Sequence, residues 1–487
     1  MQNFILKILS NSLNPNILNN IAIEDKNNSL TYKDFSNYIY SASKFLLNNG
    51  LAKQDIVINA LGNKLEQIIL HYATILTGSI SVPLSKDVTE EKLNFYVKEL
   101  NPKLVFVNNK NFNIYKIPII VITSLNNLIQ KFIDSSKTPL VKKDFIVAPN
   151  DLVSILYTTG STGVQKGVKL NHSCVNQALK NIKNYIGYNE NNREVIPLPL
   201  HHSFGLGHVY STHLSGGSVY ITDGIKSLKE FYNSFKKNYN ATALSPSMLK
   251  ILLSEKLKEK TLSIFENLKY MVVNSEKLPE EITKILIQNC PNLRLMYYYG
   301  LTEASRSFFI TLSIENEKYY SSVGKPTSNN VKVKIIKDEI CIGGNHLFSG
   351  YWNDNKTNIS NDYFKTGDLG FLDEKGYLFI TGRKKDQINV GGLKISSEEI
   401  KKALMKIKFV SDAAIVSIEN EITGEAPAAL IVTSKKITKE SIISNLKKDL
   451  ENFAIPKYIV FNDIIPKSET GKILTPEVIK IINEQKC

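Results

Sequence analysis

The side chains best suited to chemistry gather in four short segments. Residues 156–167 read Leu-Tyr-Thr-Thr-Gly-Ser-Thr-Gly-Val-Gln-Lys-Gly. Gly160, Gly163 and Gly167 let the backbone turn tightly and approach a ligand. The hydroxyls of Thr158, Thr159, Ser161 and Thr162, with their amides, can donate to phosphate oxygens, and Lys166 adds a positive charge. This is not a Walker loop, because no Gly-Lys-Ser/Thr follows at the required spacing. A plain Gly/Thr surface loop would share the same composition. The second segment, Tyr299-Gly300-Leu301-Thr302-Glu303, offers an aromatic face, a turn, a hydroxyl and a carboxylate. Glu303 suits Mg²⁺, which takes oxygen ligands and few protein carboxylates. The run Tyr297, Tyr298, Tyr299 equally fits a buried strand. In the third segment, Thr366-Gly367-Asp368 precedes Gly382-Arg383-Lys384-Lys385-Asp386; Asp368 can accept hydrogen bonds from ribose hydroxyls. The fourth, Ser468-Glu469-Thr470-Gly471-Lys472, places a lysine after a glycine, where it can reach into a cleft or simply face solvent.

Arginine is rare: Arg193, Arg294, Arg306 and Arg383 stand in a chain with 60 Lys and Arg. Where lysine is the default cation, each arginine hints at a geometric need such as a bidentate contact. His201, His202, His208 and His213 lie close together, but no Asp or Glu lies among them and their spacing fits no standard zinc pattern. Cys174, Cys290, Cys341 and Cys487 form no Cys-x-x-Cys pair, which suits reduced thiols in the cytoplasm.

These segments need a large scaffold. The 487 residues are too many for one ordinary core, and 43% hydrophobic with 22% charged residues is ordinary globular composition. No apolar run approaches the roughly 18 residues that span a membrane. The apolar start (Phe4, Ile5, Leu6, Ile8, Leu9) is broken by Lys7 and reads as a packed first helix. The net charge of +14 is spread without blocks of like charge, which argues against nucleic acid and fits an anionic small substrate or acceptor. Short buried strands are expected at 104–107, 118–122, 153–157 and 270–274, with helices at 64–76 and 280–288. The alternation predicts an α/β fold with largely parallel sheets. A hairpin is expected over 331–342 across Lys337 and Asp338. A helix is expected at 397–405, with Ser396 as N-cap and Glu399 three residues on. The domain boundary falls near residues 383–385, giving domains of 1–383 and 384–487.

Taken together, in order and spacing, the glycine loop, Tyr-Gly-Leu-Thr-Glu, Thr-Gly-Asp, Gly-Arg-Lys-Lys-Asp and the late Gly-Lys resemble the adenylate-forming superfamily along nearly the whole chain. That superfamily holds acyl- and aryl-CoA synthetases, adenylation domains of nonribosomal peptide synthetases and beetle luciferases. Leu30-Thr31-Tyr32 and residues 78–83 are weaker landmarks. The resemblance, nearest to the acyl-CoA ligases, implies a large domain of two packed α/β sheet subdomains plus a small β-barrel. A small mobile α+β lid would follow, hinged at Lys385. It implies ATP phosphates at residues 158–167 and adenine against Tyr299, bordered by Ser275, Glu276 and Gly300. Thr302 would touch a phosphate, Glu303 would bind Mg²⁺, and Asp368 with Arg383 would hold the ribose. Lys472 would bridge carboxylate and α-phosphate, Gly391 and Gly392 would line a tunnel for the acceptor thiol, and His202 would stand beside the acyl pocket.

The implied activity is an ATP-dependent acid–thiol ligase that forms an acyl-adenylate and passes the acyl group to coenzyme A. Two alternatives are an enzyme that loads an acyl- or peptidyl-carrier protein, and a non-catalytic adenylate binder. Two departures from the family pattern stand out. Gln165 replaces the usual proline, which removes a fixed φ and predicts a looser loop. Asn274-Ser275-Glu276 replaces Gly-Gly-Glu. The segment 200–204 carries His202-Ser203-Phe204 and no carboxylate to pair with an amine, which disfavours α-amino acids as substrate.

Overall fold

The computed structural model describes residues 3–108, 112, 117–133, 146–159, 165–225, 227–354, 359–390, 393–468 and 471–485. The described chain divides into two compact units. One comes from within Met1–Thr158, Gln165–Lys332 and Ile342–Phe364, the other from within Val333–Cys341 and Lys365–Cys487.

The first unit holds two α/β sheets. A six-stranded sheet runs Ile119–Val121, Leu104–Val107, Ile56–Ala60, Ile80–Pro83, Leu152–Thr159, Gln165–Asn171. Its strands from Ile119–Val121 to Leu152–Thr159 pair in parallel. They read as continuous apolar runs because both faces are covered: Val57, Ile58, Val105 and Phe106 are fully buried. The second sheet is parallel from Ile21–Glu24 through Ser218–Ile221, Arg193–Ile196, Ala241–Leu244 and Tyr270–Val273 to Arg294–Tyr299. Phe308–Leu312 and Ser322–Pro326 then add antiparallel strands. The expected strands and the helices Leu65–Leu76 and Glu280–Asn289 are present. The first helix, Phe4–Leu9, buries Phe4, Ile5, Ile8 and Leu9 and is capped by Asn3.

In the second unit, Val410–Asn420 and Gly424–Thr433 pair antiparallel, and Tyr458–Phe461 joins in parallel. Alternation sorts the side chains. Ala429 and Ile431 face Ile400, Leu404, Ile442 and Leu446 of the helices Ser397–Met405 and Lys439–Leu446. Ala428 and Leu430 face Val478 and Ile482 of Thr475–Glu484. Each such buried Leu or Ile contributes about 1.5–3 kcal/mol. The predicted cap is present in altered form: Ser396 accepts from the Glu398 amide, one residue before the expected Glu399. The expected hairpin forms between Lys332–Ile336 and Glu339–Gly343, with Lys337 and Asp338 at φ 50° and 63°, the geometry of a two-residue turn with left-handed central positions. No described helix is long and apolar enough to cross a membrane.

Candidate active site

The Leu152–Thr159 strand leads into the glycine loop, and Gln165–Asn171 leaves it. Gly160, Ser161, Thr162 and Gly163 lie outside the described residues, as does the looseness expected of that loop. Thr158, one residue before the end of the strand, is half-buried. The base of the loop is fastened from both sides. Tyr157 donates to Glu99 at 2.8 Å, and its ring packs 4.4 Å from that of Tyr96. The Tyr96 hydroxyl in turn donates to Gln165. Gln165 therefore replaces the stiffness of a proline with a side-chain tether to the helix Glu90–Leu100. Gly167 is required by close approach: a Cβ there would stand 2.9 Å from Ile155 and 3.1 Å from Trp352.

The strand Arg294–Tyr299 delivers the second segment. Tyr297, Tyr298 and Tyr299 are all buried, and Tyr299 packs against Phe308 at 6.1 Å between ring centres. Gly300 allows the turn, since a Cβ would meet the Arg306 amide at 2.6 Å. The turn sets Thr302 Oγ1 3.4 Å from Ser203 Oγ, at the start of the helix Ser203–Leu214. The Glu303 carboxylate accepts from the Tyr351 hydroxyl at 2.9 Å. Burial and then the Glu303 charge push the Tyr351 hydroxyl pKa up, so it stays protonated and donating. On the same ring, Lys166 Nζ lies 4.9 Å from the centre and 3.4 Å from Asp354. Tyr351 thus brings together two residues far apart in sequence, Lys166 and Glu303. Nearby in sequence, the Glu276 carboxylate accepts from Ser247 Oγ at 2.6 and 2.8 Å, and the Tyr297 hydroxyl donates to the Glu276 carbonyl at 3.1 Å. Ser275 stands at φ 90°, where the family's glycine would be unstrained.

His202 is the N-cap residue of Ser203–Leu214 and makes no side-chain cap bond. Its ring packs 4.3 Å from that of His201, whose pKa burial pushes down to about 4. The remaining histidines separate into their own networks: His208 bonds Glu194 at 2.8 Å, and His213 donates from Nε2 to the Ala22 carbonyl at 3.0 Å and accepts at Nδ1 from the Tyr72 hydroxyl at 2.8 Å.

The second unit carries the other assigned residues. Asp368, 4% exposed, pairs across a two-strand ladder with Arg383, Oδ1 to Nε at 2.9 Å. Beside it, Lys384 bridges Glu339 at 2.9 Å, and the Gly367 amide donates to the same carboxylate at 3.2 Å. Lys472 is exposed on a turn closed by Ser468 N to Lys472 O at 2.8 Å and Gly471 N to Ser468 O at 2.8 Å. Lys385 falls in the short turn Lys384–Asp386. Gly391 and Gly392 lie outside the described residues.

Tyr351, Asp354 and Ser247 carried no signal in the sequence, because each meets its partner through tertiary contact. Arg306 was marked by rarity alone.

Residues 14–352 match the AMP-binding enzyme family and residues 399–472 the AMP-binding enzyme C-terminal domain. Similar proteins include an oxalate–CoA ligase of Saccharomyces cerevisiae, 27% identical over 93% of this chain and 92% of the relative. A 2-succinylbenzoate–CoA ligase of Bacillus cereus is 26% identical over 95% and 96%. The fold matches ATP-bound MatB from Rhodopseudomonas palustris, with a TM-score of 0.86, 21% identity and 99% of both chains covered. It also matches o-succinylbenzoate CoA synthetase from Bacillus subtilis in complex with its acyl-adenylate intermediate, with a TM-score of 0.84, 20% identity and 98% of both chains covered. With a family match over more than half its length, this chain belongs to the AMP-binding enzymes.

Proposed function

We propose that the chain is an ATP-dependent acid–thiol ligase: it joins a carboxylic acid to AMP with release of pyrophosphate, then passes the acyl group to the thiol of coenzyme A. The observation that carries this is the Lys166–Tyr351–Glu303 assembly beside Thr302, in a chain that matches both parts of the family. The CoA ligases among its relatives support the acceptor.

A carboxylate is a poor electrophile, and adenylation makes AMP its leaving group. The carboxylate oxygen attacks the α-phosphorus, and the bond to pyrophosphate breaks. Alignment and charge neutralisation in a water-poor site are the protein's work. Thr158, Thr159, Gly160, Ser161, Thr162, Gly163 and Lys166 would hold the phosphates, Tyr299 and the Ser275–Glu276 turn the adenine, and Asp368 with Arg383 the ribose. Glu303 fits Mg²⁺: its carboxylate is oriented by the Tyr351 hydroxyl, and this ion takes one or two protein carboxylates and completes its shell with phosphate and water. When bound, Mg²⁺ supplies neutralisation of phosphate charge.

For the second half-reaction, domains 1–383 and 384–487 would reorient about Lys385. Lys472 would leave the reaction centre, and the Gly391–Gly392 loop would take its place beside the thiol. The cytoplasm is the expected compartment.

Carboxylate-dependent ATP–pyrophosphate exchange over a panel of fatty, aromatic, dicarboxylic and amino acids tests the first step. Exchange confined to amino acids would overturn the assignment around His202. Thioester formation on CoA, compared with a holo-carrier protein, tests the second step.

A further inference from the structure

Arg306 stands apart from the other arginines. Arg193 lies over Tyr239, Arg294 binds the Tyr185 and Ile186 carbonyls, and Arg383 pairs with Asp368. Arg306 is 3% exposed, and among the described residues no carboxylate forms an ion pair with it. Its Nη2 donates to the carbonyls of Ser203 at 2.8 Å and Phe204 at 3.2 Å, and its Nη1 to Ser305. Its Nε has no partner. The backbone at Arg306 takes φ 61°, a conformation unfavourable for a long side chain. The opposing helix is cut away to receive it: a Cβ at Gly207 would stand 1.7 Å from Nη2.

A buried cation without a counter-ion is costly. It is more so at the first turn of Ser203–Leu214, where the helix dipole is positive and the N-cap residue His202 supplies no capping side chain. Guanidinium and helix terminus both favour an anion, and the site borders empty space. Arg306 lines a cavity with Ser203, Thr302, Leu179, Tyr210 and His346. Burial pushes the His346 pKa down to about 4, so at neutral pH this histidine adds no second cation. Apart from these polar groups the wall is mostly apolar.

We propose that Arg306 binds a second anionic group of the acid substrate, a carboxylate at the end remote from the one activated. This rests on the acid–thiol ligase assignment above. Ser203 links the two ends of such a substrate: its hydroxyl lies 3.4 Å from Thr302 Oγ1, and its carbonyl accepts from Arg306. That short path sets the substrate class as short dicarboxylic acids.

The test uses the full chain and matched pairs: acetate with oxalate, propionate with malonate, butyrate with succinate. In ATP–pyrophosphate exchange, kcat/KM for the diacid should exceed that for its monoacid partner by about 100-fold in at least one pair, the size expected when a charge-assisted bidentate contact is made or lost. Arg306→Gln should narrow that ratio by about the same factor, and Arg306→Lys should restore part of it. Gly207→Ala displaces the guanidinium without removing it and should also narrow the ratio. A monoacid preferred in every pair overturns the proposal while leaving the ligase assignment standing. So does a diacid-to-monoacid ratio unmoved in variants that melt like the parent. Silence with every acid overturns both.

Discussion

The two units prepare their chemical groups in different ways. In the first, Glu303, Lys166 and the neighbouring Tyr351 and Asp354 come from three stretches of chain and hold one another, Tyr351 buried and the others half-buried. Their positions are set by tertiary packing before any ligand arrives, which is what electrostatic preorganisation requires. In the second, Asp368 and Arg383 face each other across one hairpin. Lys472 projects from an exposed turn closed by local backbone bonds, Ser468 N to Lys472 O and Leu474 N to Pro466 O. A group fixed by the core cannot leave the site between two half-reactions, whereas a lysine on an exposed turn of a small unit can. Under the proposed function, the difference would separate residues needed throughout from those needed once.

The sharpest way to break that comparison is Lys472→Ala. Adenylation, read by ATP–pyrophosphate exchange, should fall by about 100- to 1,000-fold, the range for removal of one charge-stabilising donor. Thioester formation from pre-made acyl-adenylate should stay near the parent rate. Equal loss of both half-reactions would mean that Lys472 is a fixed part of the site, like Glu303.

Asp368→Asn should act more weakly. The change keeps the shape and removes one charge from a pair in which Arg383 is 41% exposed. The expected effect is a rise of about tenfold in KM for ATP, about the cost of one charge-assisted hydrogen bond, with kcat for exchange largely kept. A fall in kcat with KM unchanged would move Asp368 from ribose binding to the reacting atoms.

Local features were legible in the sequence. Lys337-Asp338 marked the hairpin because two consecutive residues there adopt positive φ, and Ser396 marked a helix start because its hydroxyl reaches an amide two residues on. The run Tyr297 to Tyr299, which fitted a ligand-facing segment and a buried strand equally, ends the buried strand Arg294–Tyr299. The motifs that carry the family resemblance were legible for a different reason: each is a short continuous stretch of sequence. What could not be read was anything closed by distant contact. Tyr351 reaches Glu303 across 48 positions, and Gln165 reaches Tyr96 across 69. Nothing in the 165 position alone distinguishes a loosened loop from a tethered one. Arg306 was conspicuous by type, yet its meaning depends on Gly207 and on the turn of the helix behind it.

The smallest expected effect concerns a position where the first unit retains strain that the family's glycine would relieve. Ser275 sits at φ 90°, and a non-glycine residue held in such a region costs about 1–3 kcal/mol. Ser275→Gly removes that cost but frees the unfolded chain, which offsets about 0.5–1 kcal/mol. A net gain of about 1 kcal/mol should raise the melting temperature by about 1–2 °C in a unit of this size. The neighbouring Glu276, held by Ser247 through both carboxylate oxygens, should keep its place, so KM for ATP should change little. A lowered melting temperature would show that the serine side chain stabilises this turn more than the strain destabilises it. A raised KM for ATP would show that Ser275 contributes to nucleotide binding in its own right.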